Sequence, residues 1–121
     1  MKRILAVDDN KDILEILKYI LEDSGYEVDT LSDGHHFIEH IHNNAPDLIL
    51  LDIMLGDMDG RELCRDVKGS EETHDIPVIM ISASHRLTDT MMKCKPDDFV
   101  EKPFDIKVLL NSVERQLNRA A

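Results

Sequence analysis

The sequence lacks several features that would assign it to other classes of protein. No apolar run approaches the roughly 20 residues that a membrane-spanning helix requires. The two cysteines, Cys64 and Cys94, are 30 positions apart with no CxxC motif, which argues against a disulfide scaffold or a zinc site. There is no glycine-rich phosphate loop, and the first residues do not form a signal peptide. These absences favour a reduced, cytoplasmic setting.

An excess of basic residues is also missing. The chain has 14 Lys and Arg against 25 Asp and Glu, a formal net charge of −11. Binding to nucleic acid requires a basic face toward the phosphates, so the charge argues against nucleic-acid binding by this chain. Surface carboxylates that keep the protein in solution explain much of the excess. They do not explain why aspartates follow particular strands.

Five segments of the chain predict β-strands. Continuous apolar runs at Ile4–Val7, Leu48–Leu51 and Val78–Ile81 are typical of central parallel strands that are covered on both faces. Tyr26–Thr30 alternates more, and Phe99–Val100 is a brief fifth candidate. With 121 residues, the chain is expected to form a single domain, residues 1–121.

Helical patterns lie between these strands. Gly25 is expected to end the first helix, and three aspartates are expected to cap the second, third and fifth helices: Asp33, Asp59 and Asp105. The fourth helix, around Leu87 to Met92, has the poorest apolar stripe. Strands that alternate with helices predict an α/β fold, a (βα)5 parallel sheet with right-handed crossovers.

Polar residues follow four of the predicted strands. Asp8 and Asp9 end the first strand, Asp52 the third, Ser82 the fourth and Lys102 the fifth. Because ligands of open α/β sheets bind at the carboxyl ends of the strands, these side chains are expected to converge on one edge of the sheet.

Such a cluster of carboxylates needs a cation. Two like charges about 4 Å apart repel by about 4 kcal/mol at an effective dielectric constant near 20. A site with oxygen ligands only and few protein donors suits Mg²⁺. Lys102 adds a positive charge that can pair with Asp52 or with a bound phosphoryl group. A carboxylate nucleophile, a metal and a lysine are the inventory for phosphoryl transfer to aspartate.

Five motifs in this order resemble the response-regulator receiver family of two-component signalling over essentially the whole chain. They are VDDN at 7–10, LLDIM at 50–54, MDG at 58–60, IPVIMISA at 76–83 and EKPF at 101–104. The resemblance implies a doubly wound, flavodoxin-like sheet with strand order 2-1-3-4-5. It also implies a phosphorelay partner, either a sensor histidine kinase or a histidine phosphotransfer protein. The chain would modify itself rather than turn over a substrate.

The resemblance assigns roles to the acidic cluster. Asp52 would be the phosphoacceptor. Asp9 would bind Mg²⁺ directly and Asp8 largely through water, and the backbone carbonyl of Met54 would complete the protein ligands. Met54 and Ser84 occupy the two variable positions that tune loss of the phosphoryl group in the family, and both predict slow hydrolysis.

The resemblance also assigns a switch. Ser82 would move toward the phosphoryl oxygens, Phe99 would rotate inward with it, and the Lys102–Pro103 bond would be cis. Residues 84–96 are predicted to be the least stable segment of the fold, because they carry few large apolar residues.

Three other interpretations stay open. The chain could be a receiver module of a longer regulator or hybrid kinase, or a degenerate receiver that binds proteins without being phosphorylated. A Mg²⁺-dependent phosphatase is the third, although 121 residues leave little room for its substrate pocket. His36 and His40, four positions apart, could chelate a transition metal, but a solvated helix face explains them as well.

Overall fold

The computed structural model describes residues 1–83 and 94–120 and shows a five-stranded parallel sheet with helices on both faces. In chain order the described elements are β1 (Arg3–Val7), α1 (Lys11–Asp23), β2 (Glu27–Leu31), α2 (Phe37–Asn43), β3 (Leu48–Asp52), β4 (Met54–Leu55), β5 (Met58–Asp59), α3 (Gly60–Gly69), β6 (Val78–Ser82), β7 (Asp98–Glu101) and α4 (Ile106–Ala120).

The strand order of the main sheet is β2-β1-β3-β6-β7. Since β6 and β7 are its fourth and fifth strands in the chain, the predicted order 2-1-3-4-5 is confirmed. The sequence did not predict β4 and β5, which pair antiparallel as a short hairpin directly after β3. The predicted fourth helix around Leu87 to Met92 and the variable-position residue Ser84 lie outside the described residues.

Two apolar layers cover the two faces of the sheet. Strands β3 and β6 are buried along their whole length, which explains their continuous apolar sequences. Alternate residues of each strand point to opposite layers, so Leu50 packs toward α1 and α4 while Leu51 packs toward α2 and α3.

The helices in residues 1–83 and 94–120 include none with the length and hydrophobicity of a membrane-spanning segment.

Short polar side chains begin three of the helices. Asn10 accepts hydrogen bonds from the backbone N–H groups of the first turn of α1, and Asp59 and Asp105 cap α3 and α4 as predicted. The prediction for Asp33 was wrong, because α2 begins only at Phe37 and has no side-chain cap. Asp33 instead accepts the N–H of His35 in a local turn.

Candidate functional site

Three carboxylates meet at the carboxyl edge of the sheet. Asp52 is the last residue of β3, and Asp8 and Asp9 follow β1, the strand beside it. Each offers one oxygen that lies within 4.8 Å of the other two. Asp8 and Asp52 are only 1% and 5% exposed, whereas Asp9 faces solvent. The expected convergence of these residues is therefore present.

Lys102 bridges the two buried carboxylates. Its Nζ lies 2.8 Å from Oδ2 of Asp8 and 3.2 Å from Oδ2 of Asp52. The backbone N–H of Lys102 donates to the carbonyl oxygen of Ser82 at 2.8 Å, which fixes the residue after β7 to the end of β6. The Lys102–Pro103 bond is cis, as predicted.

Backbone N–H groups hold the other oxygen of each buried carboxylate. Asn10 donates to Oδ1 of Asp8 at 2.9 Å, and Met54 donates to Oδ1 of Asp52 at 3.3 Å. Asn10 also caps α1, so the orientation of Asp8 depends on the start of that helix. The two carboxylates are thus held in place by the chain that immediately follows each strand.

Burial raises the pKa of Asp52 to about 6, and the charge of Asp8 adds to the shift, while Lys102 partly offsets it. Burial acts to lower the pKa of Lys102, but its hydrogen bond to Asp8 and the charges of Asp52 and Asp8 raise it overall. The site contains three carboxylates but one ammonium, so it carries excess negative charge and favours a further cation.

The donor set fits Mg²⁺. All three side chains offer hard oxygen ligands, and their spacing is compatible with one small cation that retains several waters. No other group of three potential metal ligands occurs among the residues that the structure describes. His36 contacts Glu39 and His40 contacts Asp29, and neither histidine belongs to such a group of described residues.

Gly60 allows α3 to begin close to the end of β3. Its N–H donates to the carbonyl oxygen of Ile53 at 2.6 Å. A Cβ on Gly60 would overlap the carbonyl oxygen of Asp52 and lie 2.9 Å from its carbonyl carbon. The MDG motif therefore contains a glycine that this close approach requires. No role of Gly60 beyond its place in this motif was predicted from the sequence.

The other site residues predicted from the sequence are Ser82, Phe99 and Met54. Ser82 is the last residue of β6 and is buried, with 2% of its surface exposed. Phe99 lies in β7, opposite Met80, and is half-buried against the layer that faces α2 and α3. Met54 is 68% exposed beside Asp52.

Comparison with known proteins identifies the family. A sequence model described as the response regulator receiver domain matches residues 4–114. The chain belongs to the response regulator receiver family. Receiver domains are phosphorylated by histidine kinases, are linked to output domains and generally bind Mg²⁺ in an acidic pocket.

Solved receiver structures have the same fold. The receiver domain of a signal transduction histidine kinase from Syntrophus aciditrophicus is 35% identical, with 98% of this chain and 91% of that chain covered at a TM-score of 0.90. A CheY-like receiver domain protein from Methanospirillum hungatei is 31% identical, with coverages of 99% and 96% and a TM-score of 0.90. The receiver domain of NtrX from Brucella abortus is 34% identical, with coverages of 95% and 98% and a TM-score of 0.85.

The raised pKa of Asp52 predicts that this carboxylate destabilises the metal-free receiver. The folded state keeps its proton up to about pH 6, whereas an unfolded chain loses it near pH 4. Stability is therefore lost as the pH rises between these values. We expect Asp52→Asn to raise the free energy of unfolding by about 1–3 kcal/mol at pH 7 and to have little effect below about pH 4.

Urea unfolding in EDTA at several pH values measures this difference. Asp57→Asn is the matched control, because Asp57 lies in the same loop region but its side chain is 76% exposed. The control should change stability by only a few tenths of a kcal/mol. A destabilised Asp52→Asn protein at pH 7 would contradict the electrostatic account of the site.

Proposed function

We propose that this receiver accepts a phosphoryl group from a phosphohistidine partner onto Asp52, in a Mg²⁺-dependent reaction, and then changes conformation to signal. The observation that carries the proposal is the convergence of Asp8, Asp9 and Asp52 with the Lys102 ammonium between the two buried carboxylates. An intact constellation supports a phosphorylatable receiver over a degenerate one.

The chemistry is a transfer between two side chains. A carboxylate oxygen of Asp52 attacks phosphorus, the phosphorus–nitrogen bond of the donor breaks, and the imidazole leaves. Nζ of Lys102 lies 3.2 Å from Oδ2 of Asp52, so its positive charge is close enough to stabilise a phosphoryl group attached to that carboxylate. The product stays on the protein, which makes the domain a self-modifying acceptor rather than a turnover enzyme.

Mg²⁺, held by Asp8, Asp9, Asp52 and the backbone carbonyl of Met54, would supply positive charge to the phosphoryl oxygens. The exposed Asp9 is the carboxylate most open to an arriving ion, which supports it as a direct ligand. Asp8 already binds Lys102 and the N–H of Asn10, which suits a ligand that acts through water.

The proposed switch involves Ser82 and Phe99. The backbone carbonyl oxygen of Ser82 accepts a hydrogen bond from the backbone N–H of Lys102, and Phe99 lies on β7, three residues before Lys102. A rearrangement of Lys102 around a phosphoryl group would therefore be transmitted to both residues through the β6–β7 edge.

Residues 84–96 were predicted to be the least stable segment of the fold. Most of this segment, residues 84–93, lies outside the described residues, so the prediction stays a prediction.

Membership of the receiver family supports the proposed donor and setting. A sensor histidine kinase or a histidine phosphotransfer protein in the cytoplasm would supply the phosphoryl group. One similar structure is the receiver domain of a signal transduction histidine kinase, which supports the alternative that this domain is part of a longer protein.

Mass spectrometry tests the phosphoryl acceptor. Incubation with acetyl phosphate and Mg²⁺ should add one phosphoryl mass to the wild type, and EDTA should prevent it. Asp52→Asn should abolish the modification, whereas Asp57→Asn, with its exposed carboxylate, should retain it. A phosphoryl group found on a serine or histidine, or retained by Asp52→Asn, would refute the proposal.

A further inference from the structure

One short loop carries two of the three carboxylates of the acidic cluster. Asp8, Asp9 and Asn10 form the whole connection between β1 and α1. The backbone N–H of Asp8 donates to the carbonyl oxygen of Leu31 at 3.1 Å, which ties the start of the loop to the end of β2. Asn10 holds the other end of the loop, where the helix begins.

Asn10 makes hydrogen bonds in both directions along the chain. Its side-chain oxygen Oδ1 accepts from the backbone N–H groups of Asp12 at 2.9 Å and Ile13 at 3.3 Å, in the first turn of α1. Its own backbone N–H donates to Oδ1 of Asp8 at 2.9 Å. The exposed Asp9 lies between these two contacts, so its position follows from the backbone on either side.

We propose that Asn10 is a positioning residue of the metal site, whose side-chain cap keeps the loop in the conformation in which Asp8 and Asp9 bind Mg²⁺ together. The inference rests on the proposed function, because it takes the acidic cluster to be a Mg²⁺ site. Asn10 itself makes no contact with the ion in this proposal. Its side chain fixes the start of α1, and the backbone N–H that follows from this start fixes the carboxylate of Asp8.

The free energy of the cap sets the size of the effect. Without the cap the first turn of α1 can open, and the apparent affinity for an ion falls with the fraction of protein that stays competent to bind it. A side-chain cap contributes about 1 kcal/mol, which at 1.4 kcal/mol per tenfold corresponds to about fivefold. We therefore expect Asn10→Ala to raise the Kd for Mg²⁺ by about two- to fivefold, and the upper value applies if the whole cap serves to hold the loop.

Asp105→Ala is the matched control, because Asp105 caps α4 with nearly the same geometry. Its Oδ1 accepts from the N–H groups of Lys107 at 2.8 Å and Val108 at 3.3 Å. Each variant loses one cap, so both should lower Tm in EDTA by about 3–6 °C. Asp105 is exposed, and salt near physiological strength screens the charge that its substitution removes. Only Asn10→Ala should therefore weaken the binding of Mg²⁺.

Backbone amide chemical shifts, followed by NMR as MgCl₂ is added to the full chain, give the Kd of each protein. Asn10→Ser should restore both the Tm and the wild-type Kd, because serine caps a helix about as well as asparagine and adds no charge. An unchanged Kd in Asn10→Ala, an equal loss of affinity in Asp105→Ala, or recovery of Tm without recovery of Kd in Asn10→Ser would each overturn the positioning role. A wild type whose shifts do not respond to MgCl₂ would refute the metal site of the proposed function, and this inference with it.

Hydrogen exchange in the wild type tests the same coupling without a substitution. If the cap favours Mg²⁺ binding, bound Mg²⁺ must favour the capped helix by the same factor. Saturating MgCl₂ should therefore slow exchange of the Asp12 and Ile13 amides by about two- to fivefold and leave the Lys107 and Val108 amides unchanged. Equal slowing at the two helices, or no slowing at Asp12 and Ile13, would overturn the proposal whether or not the variants fold.

Discussion

Gly60→Ala is expected to lower the free energy of unfolding by about 3 kcal/mol or more and to prevent phosphorylation of Asp52, although it adds only a methyl group. The new Cβ would overlap the carbonyl oxygen of Asp52 and lie 3.1 Å from Cα of Ile53. These are backbone atoms, which cannot rotate away as a flexible side chain could. Either α3 must shift or the end of β3 must move, and the second change displaces Asp52, the proposed phosphoacceptor.

Gly69→Ala is the matched control at the other end of the same helix. A Cβ on Gly69 would meet no atom within 4 Å. The same substitution should therefore stabilise the protein by a few tenths to about 1 kcal/mol, because alanine favours the helical conformation. Urea unfolding and acetyl phosphate labelling of both variants measure the two effects. Equal stability and labelling of the two variants would show that the close approach at Gly60 is not a constraint.

The arrangement of the sheet could be predicted because burial on both faces leaves a direct signature in sequence. Leu48–Leu51 and Val78–Ile81 contain no polar residue, as two-sided burial requires. Ligands of open α/β sheets bind at the carboxyl ends of the strands, so the positions of Asp8, Asp9, Asp52 and Lys102 after three of the strands predicted that they share one edge of the sheet. The roles of these residues in metal binding and phosphoryl transfer remain predictions.

Several features could not be predicted because they depend on tertiary contacts. Strands β4 and β5 have two residues each, too short to show any periodicity. The start of α2 was assigned to Asp33 because aspartate favours helix caps, but the side chain caps a local turn instead.

The bridging position of Lys102 was only half predicted. Its charge was expected near Asp52, but its shorter contact is with Asp8, at 2.8 Å against 3.2 Å. Asp8 is the more deeply buried of the two carboxylates, at 1% exposed. An ammonium that is shared in this way compensates two buried charges at once, which makes its removal more damaging than the loss of an ordinary surface ion pair.

Lys102→Met is therefore expected to destabilise the metal-free protein by about 2–4 kcal/mol at pH 7. Methionine preserves much of the side-chain volume, so the main loss is the charge between Asp8 and Asp52. Without it, the pKa of Asp52 should rise further above its present value of about 6. The destabilisation should therefore be fully developed only above that pH and should fade as the carboxylates are protonated toward pH 4.

Mg²⁺ should reverse most of this loss of stability, because a divalent cation can supply the missing charge and the Lys102 ammonium no longer competes with it.

The matched control is Lys68→Met. The Lys68 side chain is 18% exposed, against 17% for Lys102, and its Nζ pairs with Oδ2 of Asp97 at 2.6 Å. Lys68 lies away from the acidic cluster, so its loss should be insensitive to Mg²⁺. Urea unfolding of the wild type and both variants, with EDTA and with millimolar Mg²⁺, gives the free energies of unfolding that this comparison requires. If Mg²⁺ rescues both variants equally, or neither, then Lys102 does not act as the cation that balances the charge of the acidic cluster. Rescue of Lys102→Met alone would show that this lysine balances the charge of the cluster. If phosphorylation of that variant also no longer produced the change in spectrum that the wild type shows, Lys102 would be needed for the conformational switch as well.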